Sequence, residues 1–519
     1  MRAFRSPLRL AFEKVEDWFD AAFRPAWNPF YQLGALGWFF YWIVVATGVY
    51  LYVFFDTGIT NAYLSVEYLT HEQWYAGGVM RSLHRYASDA LVIVVMVHLL
   101  REYAHDRYRG KRWFAWVTGV PLIWFLYACG ISGYWLVWDK LAQYIAVITT
   151  EWLDTLPFFA EPIARNFLNS VTLGGRFFTL MVFIHIAVPL IMLFLMWLHI
   201  QRHSLPKVNP PKGLAIGTLA TMIVLSLVYP ALSQGPADLD VVTSVIRPDW
   251  FYIPLYPLLD HVSGLVMWFA LAGMTVLLFF VPWLPPARKE SVAVVNLDNC
   301  NGCGRCVADC PYSAITMVPR TDGLPFAQQV TVNESNCTSC GLCVGACPTA
   351  TPFRRATALV PGIDLPDLPV KALAERVREA GATSRGEDGE PRVVVFSCRA
   401  TEHAPRLERP GVEVIEVPCL GQIPPPLLDF TLARGHADGV FLAGCREGDC
   451  HFRLGANWTE QRIDRQRDPY LRARVPRERL ELCWGGPTRA RRTREALDAF
   501  RERLRALNAE KADKGGPDV

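Results

Sequence analysis

Four histidines and thirteen cysteines carry most of the chemistry open to this sequence, and both sets are spaced as metal ligands. His84 and His98 are 14 residues apart, and so are His185 and His199. With a rise of about 1.5 Å and about 3.6 residues per turn, that interval returns two helical side chains to nearly the same face roughly 21 Å apart. Each pair lies in an apolar stretch, where ionisable groups are rare unless they serve a function. Two facing helices so decorated can hold two porphyrins, each between two imidazoles. Glycines repeat with the same period, at Gly34 and Gly48 and again at Gly119 and Gly133. A porphyrin needs close backbone approach, which the missing Cβ permits. Small-residue helix contacts would explain glycines, but not the shared interval.

The cysteines cluster just as tightly. Only Cys129 lies in the apolar half, and the other 13 of 14 fall between Cys300 and Cys483, a distribution that suits metal or redox chemistry in a reducing compartment better than a disulfide framework. Cys300-x2-Cys303-x2-Cys306-x3-Cys310-Pro311 is repeated as Cys337-x2-Cys340-x2-Cys343-x3-Cys347-Pro348. Zinc knuckles pair Cys-x2-Cys without a third Cys at the same interval or a fourth before Pro. The doubled run instead resembles two-cluster bacterial ferredoxins, in which the fourth Cys of each run ligates the other cluster. The resemblance implies one 4Fe-4S cluster on Cys300, Cys303, Cys306 and Cys347, and a second on Cys337, Cys340, Cys343 and Cys310.

Six apolar segments are long enough to position the histidines across a bilayer core of about 30 Å: about residues 33–55, 80–100, 117–137, 177–200, 214–232 and 264–284. The N-terminus (Arg2, Arg5, Arg9, Lys14), residues 101–112 and residues 201–212 are basic and fall on one side of a six-helix topology. The opposite loops carry Asp56, Glu67, Glu72, Glu151, Asp154, Glu161, Asp238 and Asp240. The positive-inside rule then puts both termini in the cytoplasm of an inner-membrane, multi-pass protein. The basic N-terminus lacks the short apolar core of a cleavable signal peptide. Pro282, Pro285 and Pro286 close the last span, and Arg288-Lys289-Glu290 marks the water boundary.

The expected organisation is multidomain: an all-α six-helix membrane bundle over 1–290, an α+β dicluster unit over 291–356, a linker with a short helix over 357–390 (including Gly386–Gly389), a small α/β domain over 391–487 and a charged tail over 488–519, helical and then disordered from Ala509. The net charge of +3 averages unlike halves and does not suggest nucleic acid.

Residues 30–285 resemble the cytochrome b family of quinol-oxidising bc and bf complexes. The resemblance rests, in family order, on Met80-Arg-Ser-Leu-His-Arg85, Trp116-Val-Thr-Gly-Val120, Gly133-Tyr-Trp-Leu-Val-Trp-Asp139 and Pro248-Asp-Trp-Phe251. It implies two haems b, one on His84 and His185 near the outer face and one on His98 and His199 near the cytoplasm, with Arg81 and Arg85 neutralising propionates. It also implies a quinone site built from Asp249, Tyr256 and Tyr134. The family's Pro-Glu-Trp-Tyr stands here as Pro248-Asp249-Trp250-Phe251, a carboxylate one methylene shorter without the tyrosine hydroxyl. Asp249 as a simple helix cap is the alternative. The mitochondrial relative continues to eight helices.

Cys398, Cys419, Cys445 and Cys450 lie at or just after predicted strands, where parallel α/β domains gather their sites. Gly444-Cys-Arg-Glu-Gly-Asp-Cys-His451 and its surroundings, about 391–485, resemble the delta subunit of methyl-viologen-reducing hydrogenase. That family holds a 2Fe-2S cluster and links a donor to the flavin subunit of a heterodisulfide reductase. Its usual opening Cys-x2-Cys is lost here, because Arg399-Ala400-Thr401 follows Cys398. The four cysteines still suffice for a 2Fe-2S cluster; Cys483 is either a reserve ligand or a small buried residue.

These parts describe an oxidoreductase subunit that moves electrons between quinone or quinol and a soluble partner. The candidate partners are a cytoplasmic flavoprotein of heterodisulfide-reductase type or another redox subunit, with a Rieske or cytochrome c subunit if electron pairs are split, in a homodimer by family resemblance. The alternative is a membrane anchor and relay without its own working quinone site.

Overall fold

The computed structural model describes residues 2–158, 162–163, 166, 168, 173–243, 245–285, 290–348, 360–383, 390–402 and 404–513. Glu161, Pro286, Arg288, Lys289 and Gly386–Gly389 lie outside them. The chain forms two compact units: Met1–Arg5, Trp27–Gln201 and Pro206–Ala287 in one, and Ser6–Ala26, Arg202–Leu205 and Arg288–Val519 in the other. Helix α1 (Arg2–Phe23) thus belongs mainly to the second unit, not to the membrane bundle that residues 1–290 were expected to form.

In the first unit α2 (Leu33–Phe54), α3 (Ile59–His71), α4 (Val79–Ala104), α5 (Trp113–Val137), α6 (Lys140–Asp154), α7 (Gly175–Ile200), α8 (Lys212–Val228) and α9 (Gly264–Phe280) follow in order. Among the described residues, five spans are long and apolar enough to cross a bilayer: Pro29–Phe54, Trp74–Ala104, Gly110–Val137, Gly175–Ile200 and Gly264–Trp283. The protein is a multi-pass membrane protein. The fifth expected segment, 214–232, forms a shorter helix than the sequence suggested. Helix α8 has 17 residues, about 26 Å at the α-helical rise, because Pro230 disfavours helical backbone at Tyr229. Apolar side chains such as Phe183, Phe194, Val228 and Phe269 point outward, as lipid-facing residues must.

Helix α2 packs along α4, and α5 along α7. These two antiparallel pairs position the histidines. Helices α3 and α6, not anticipated from hydropathy, lie between spans. Asp139 starts α6 as its N-cap, accepting from the Ala142 amide at 2.9 Å, while its other oxygen takes the Gln234 amide at 2.8 Å.

Among its described residues the second unit holds three small sheets. Strands β1 (Val294–Val295) and β4 (Ile363–Asp364) pair antiparallel, as do β2 (Ile315–Pro319) and β3 (Gln328–Val332). Strands β5 (Val393–Cys398), β6 (Val412–Val417), β7 (Gly439–Gly444) and β8 (Leu480–Trp484) form a parallel sheet in the order β6-β5-β7-β8. Its two faces are both apolar, as a covered parallel sheet requires. Val394, Phe396, Val440 and Leu442 join one core that also contains seven of the eight ferredoxin-type cysteines, Cys303 alone of the eight being exposed. Val393, Val395, Phe441 and Ala443 face the other way onto Leu497, Phe500 and Leu504 of the C-terminal helix α10 (Ala490–Asp513), which continues past Ala509.

Residues 357–390 are more than a connection. They contain β4 and a helix, Val370–Thr383, whose Val370, Leu373, Ala374 and Val377 are buried in the shared core. Helix α1 lays an acidic face on the C-terminal sheet: buried Arg446 meets Asp17 at 3.0 Å and Glu16 at 3.5 Å, and Arg489 meets Asp17 and Asp20 at 2.6 and 2.8 Å. The basic residues of this segment drew attention in the sequence; its acidic stripe anchors it.

Candidate functional site

Each glycine of the 14-residue repeat stands opposite one histidine. A Cβ on Gly48 would lie 3.1 Å from the His84 ring, on Gly34 3.7 Å from His98, on Gly119 3.1 Å from His199 and on Gly133 2.9 Å from His185. The glycines therefore make room for imidazoles on the partner helix, whereas the sequence reading assigned that room to a porphyrin. His84 and His185 bring their ring centres to 6.3 Å. Imidazole nitrogens bind metal ions at about 2 Å, so at this separation the two rings could hold one metal ion between them. His98 and His199 are also close enough to interact electrostatically.

Hydroxyls one residue before three of the glycines hold the rings. Thr47 Oγ1 lies 3.1 Å from His84 Nδ1, Thr118 Oγ1 3.3 Å from His199 Nδ1 and Ser132 Oγ 3.1 Å from His185 Nδ1. The Val44 carbonyl adds a 3.0 Å contact to His84 Nδ1. Occupying Nδ1 leaves Nε2 to bind metal, the usual division of labour in an imidazole ligand. Gly34 follows Leu33 and has no such hydroxyl. The signal, Ser or Thr before Gly at the same period, was present in the sequence and went unread. Gly133→Ala should push the His185 ring out of line and selectively weaken one b-type chromophore, measured as haem per protein; full occupancy would refute the steric role.

Asp249 gathers residues from three elements. Its Oδ1 accepts from the amides of Phe251 at 2.7 Å and Tyr252 at 3.4 Å, and its Oδ2 accepts from the Tyr134 hydroxyl at 2.6 Å and from Arg85. Burial alone would raise the pKa of this carboxyl, but the Arg85 charge, the Tyr134 hydroxyl and the two amides outweigh burial and hold it below the usual range. Arg85 also lies 4.5 Å over the Tyr134 ring. Arg81 instead meets Thr70, Ser233 at 2.7 Å and Glu67 at 3.5 Å. Tyr256 bonds Thr149 at 2.8 Å. The neighbouring Tyr252, not singled out in the sequence, lies against Gly130 and bonds Ser88 at 2.7 Å.

The ferredoxin-type cysteines line two small cavities. One is bounded by Cys310, Cys337, Cys340 and Cys343; the other by Cys300, Cys303, Cys306 and Cys347. Three thiols of one run and the last of the other thus converge in each. Burial pushes the Cys306 and Cys340 thiols up to about 12; bound iron would supply the positive charge that ionises them. Gly302 and Gly341 adopt positive φ (66° and 79°) in the turns that present these thiols.

Cys398, Cys419, Cys445 and Cys450 also come together. Cys398 and Cys450 each hydrogen-bond both Cys419 and Cys445, which pulls the first two thiols down and pushes the other two up. The Leu420 amide donates to Cys398 Sγ at 3.2 Å. A Cβ on Gly455 would lie 2.1 Å from Cys419 Sγ, a requirement that long-range packing alone reveals. Cys483 sits on the opposite face of the sheet and bonds Thr493, away from the four.

Two contacts join this ring to one ferredoxin-type cavity. Leu342 lines the cavity of Cys310, Cys337, Cys340 and Cys343 and meets Gly421, while a Cβ on Gly345 would lie 2.0 Å from the Gly421 carbonyl. Buried Arg462 donates to that carbonyl at 3.1 Å and pairs with Asp309, which Arg467 also engages at 2.9 Å. Removing one partner of such a buried pair costs about 3–5 kcal/mol.

Comparison with known proteins follows the same division. Residues 19–203 match the family Cytochrome b/b6/petB, residues 299–351 the 4Fe-4S dicluster domain and residues 394–508 the family Methyl-viologen-reducing hydrogenase, delta subunit. Cytochrome b of Rhodospirillum rubrum is 23% identical over 299 residues, covering 51% of this chain and 72% of that protein. Cytochrome b/c1 of Bradyrhizobium diazoefficiens is 24% identical over 299 residues, and this chain spans only 42% of its length. A chain of a hyperthermophilic respiratory Complex III aligns with TM-score 0.41 and 20% identity, covering 49% of this chain and 75% of that one. The protein is multidomain: a cytochrome b-like helical membrane segment, a 4Fe-4S dicluster segment and a hydrogenase delta-like α/β segment stand in one chain. It has the make-up of a membrane electron-transfer oxidoreductase subunit, with haem b and iron-sulfur clusters implied by its segments.

Proposed function

We propose that this chain is the membrane subunit of a quinone oxidoreductase complex, exchanging electrons between quinone or quinol and a cytoplasmic flavin or iron-sulfur partner. The observation that carries the reading is the His84–His185 pair, with its two facing glycines and ring-holding hydroxyls, in the same unit as the Asp249–Arg85–Tyr134 cluster. His84 with His185 and His98 with His199 would hold two haems b. Cys300, Cys303, Cys306 and Cys347, and Cys337, Cys340, Cys343 and Cys310, would hold two 4Fe-4S clusters; Cys398, Cys419, Cys445 and Cys450 would hold a 2Fe-2S cluster. When bound, these groups supply one-electron carriers.

The chain's own contribution is placement and proton handling. Asp249 is ionised and aimed by Arg85 and Tyr134, ready to accept a quinol proton. The basic loops argue for cytoplasmic termini, and a partner of the heterodisulfide-reductase flavoprotein type fits the delta-like segment. Ferredoxin-type clusters are strongly reducing, so flow from a cytoplasmic donor toward quinone is the simpler direction; the reverse needs a Rieske or cytochrome c partner, or a flavin that splits electron pairs. A homodimer rests on family resemblance alone.

One observation favours the second reading, a relay without a working quinone site: both oxygens of Asp249 are occupied, Oδ1 as a backbone cap and Oδ2 by Arg85 and Tyr134. A quinone-analogue inhibitor added to the purified protein separates the readings. The quinone reading expects a shift of the b-type absorbance, and an unshifted spectrum at saturating inhibitor supports the relay.

A further inference from the structure

Span α4 carries an acidic residue well inside the helix. Besides Asp89, α4 has only Glu102, in its last turn, and α2, α5, α7, α8 and α9 contain no Asp or Glu. A carboxyl at such depth is costly and needs a reason. Asp89 lies one turn after Arg85, and its Oδ2 sits 3.3 Å from Arg85 Nε. The same guanidinium uses Nη2 to hold Asp249 Oδ2. The two carboxyl groups, 160 positions apart in sequence, are themselves within hydrogen-bond reach of each other. Asp89 Oδ1 is buried without a hydrogen-bond partner among the described residues, and the side chain is 16% exposed.

A single cation balances a single carboxylate. Two carboxylates in contact cannot both stay ionised beside one guanidinium in a poorly hydrated site, because like charges at that distance drive one of them to hold a proton. Arg85, Tyr86, Tyr134, Asp249 and Tyr252 are the charged or titratable groups facing Asp89. Of these, only Arg85 is a cation.

We propose that Asp89 is the second carboxyl of the Asp249 site, and that the two share one proton, which they relay from bound quinol. This deepens the quinone reading and rests on it. At rest Asp249 is the ionised member, fixed by Arg85, Tyr134 and two amides, and Asp89 holds the proton. When a quinol O–H breaks, its proton forms a new O–H on Asp249 and Asp89 gives up its own proton to solvent. The pair keeps a net charge of −1 against Arg85 throughout. Electrons leave the quinol separately, to the one-electron acceptor that His84 and His185 would hold.

The test uses the full-length protein in lipid, with both b-type absorbances as the check that each variant is folded and loaded. Infrared spectroscopy of the oxidised protein should show a protonated-carboxyl C=O band sensitive to deuterium exchange. Asp89→Asn and Asp249→Asn should each abolish it, because either remaining carboxyl then has Arg85 to itself; Asp89→Glu should retain it. Quinol-driven haem reduction should fall by about 10²-fold in Asp89→Asn and recover most of the loss in Asp89→Glu. A band that survives Asp89→Asn, or an unaltered rate, overturns the proposal. Should the parent protein not be reduced by quinol at all, the quinone reading falls, and the infrared band alone then decides whether the pair shares a proton.

Discussion

His185→Ala is expected to remove one b-type chromophore and spare the other, and His98→Ala to remove the one that His185→Ala leaves. The expectation follows from how the ligands are distributed. His84 and His185 face each other with ring centres 6.3 Å apart, while His98 and His199 lie 14 residues further along the same two helices, about 21 Å away. Neither pair shares a ligand with the other. Truncating one imidazole leaves α7 as apolar as before, so membrane insertion should persist. The readout is haem per protein together with a redox titration, in which a two-component curve should become a one-component curve in each variant. Two retained components in His185→Ala would remove the basis for reading these histidines as ligands.

The second large effect is expected at Asp249. Asp249→Asn should lower quinol-driven haem reduction by about 10²–10⁴-fold, the range for loss of a positioned base, while chemical reduction by dithionite stays as fast as in the parent. The amide can still accept the Phe251 N–H through Oδ1, so the loop keeps its local cap and the loss is chemical. A pH profile sharpens the test. The Asp249 pKa is held below the usual carboxylate range, so its ionised form is present above that depressed value and is lost as pH falls through it. The parent's quinol-driven rate should therefore decline only on the acid side, and the variant should lack that limb. Equal rates in the two proteins would favour the relay reading.

The ligand spacings were legible because each rests on a local rule. Fourteen residues is close to four helical turns, so His84 and His98 announced one helix face. Cys-x2-Cys-x2-Cys-x3-Cys-Pro announced a ferredoxin-type turn, and apolar runs at 393–396, 412–417 and 439–443 announced β5, β6 and β7 but not β8. Where the reading differed from the structure, a distant or competing feature was responsible. Pro230 shortened the fifth apolar helix, and the acidic stripe of α1 outweighed its basic residues once Arg446 and Arg489 were in place. Residues 357–390 looked like a linker because the burial of Val370, Leu373, Ala374 and Val377 depends on the cysteine-rich unit beside them.

From the sequence alone come the identity and period of the histidines, the doubled cysteine runs, the apolar spans and the carboxylate of Pro248-Asp249-Trp250. These are determined by helix pitch, ligand chemistry and hydropathy acting over a few turns of chain. Only the tertiary structure decided which glycine faces which imidazole, that Arg85 bridges Asp89 and Asp249, that Cys483 stands apart from the other four C-terminal thiols, and that Gly345 meets Gly421. Those pairings join positions up to 164 residues apart, and side-chain packing between whole elements selects them; no local periodicity encodes that choice.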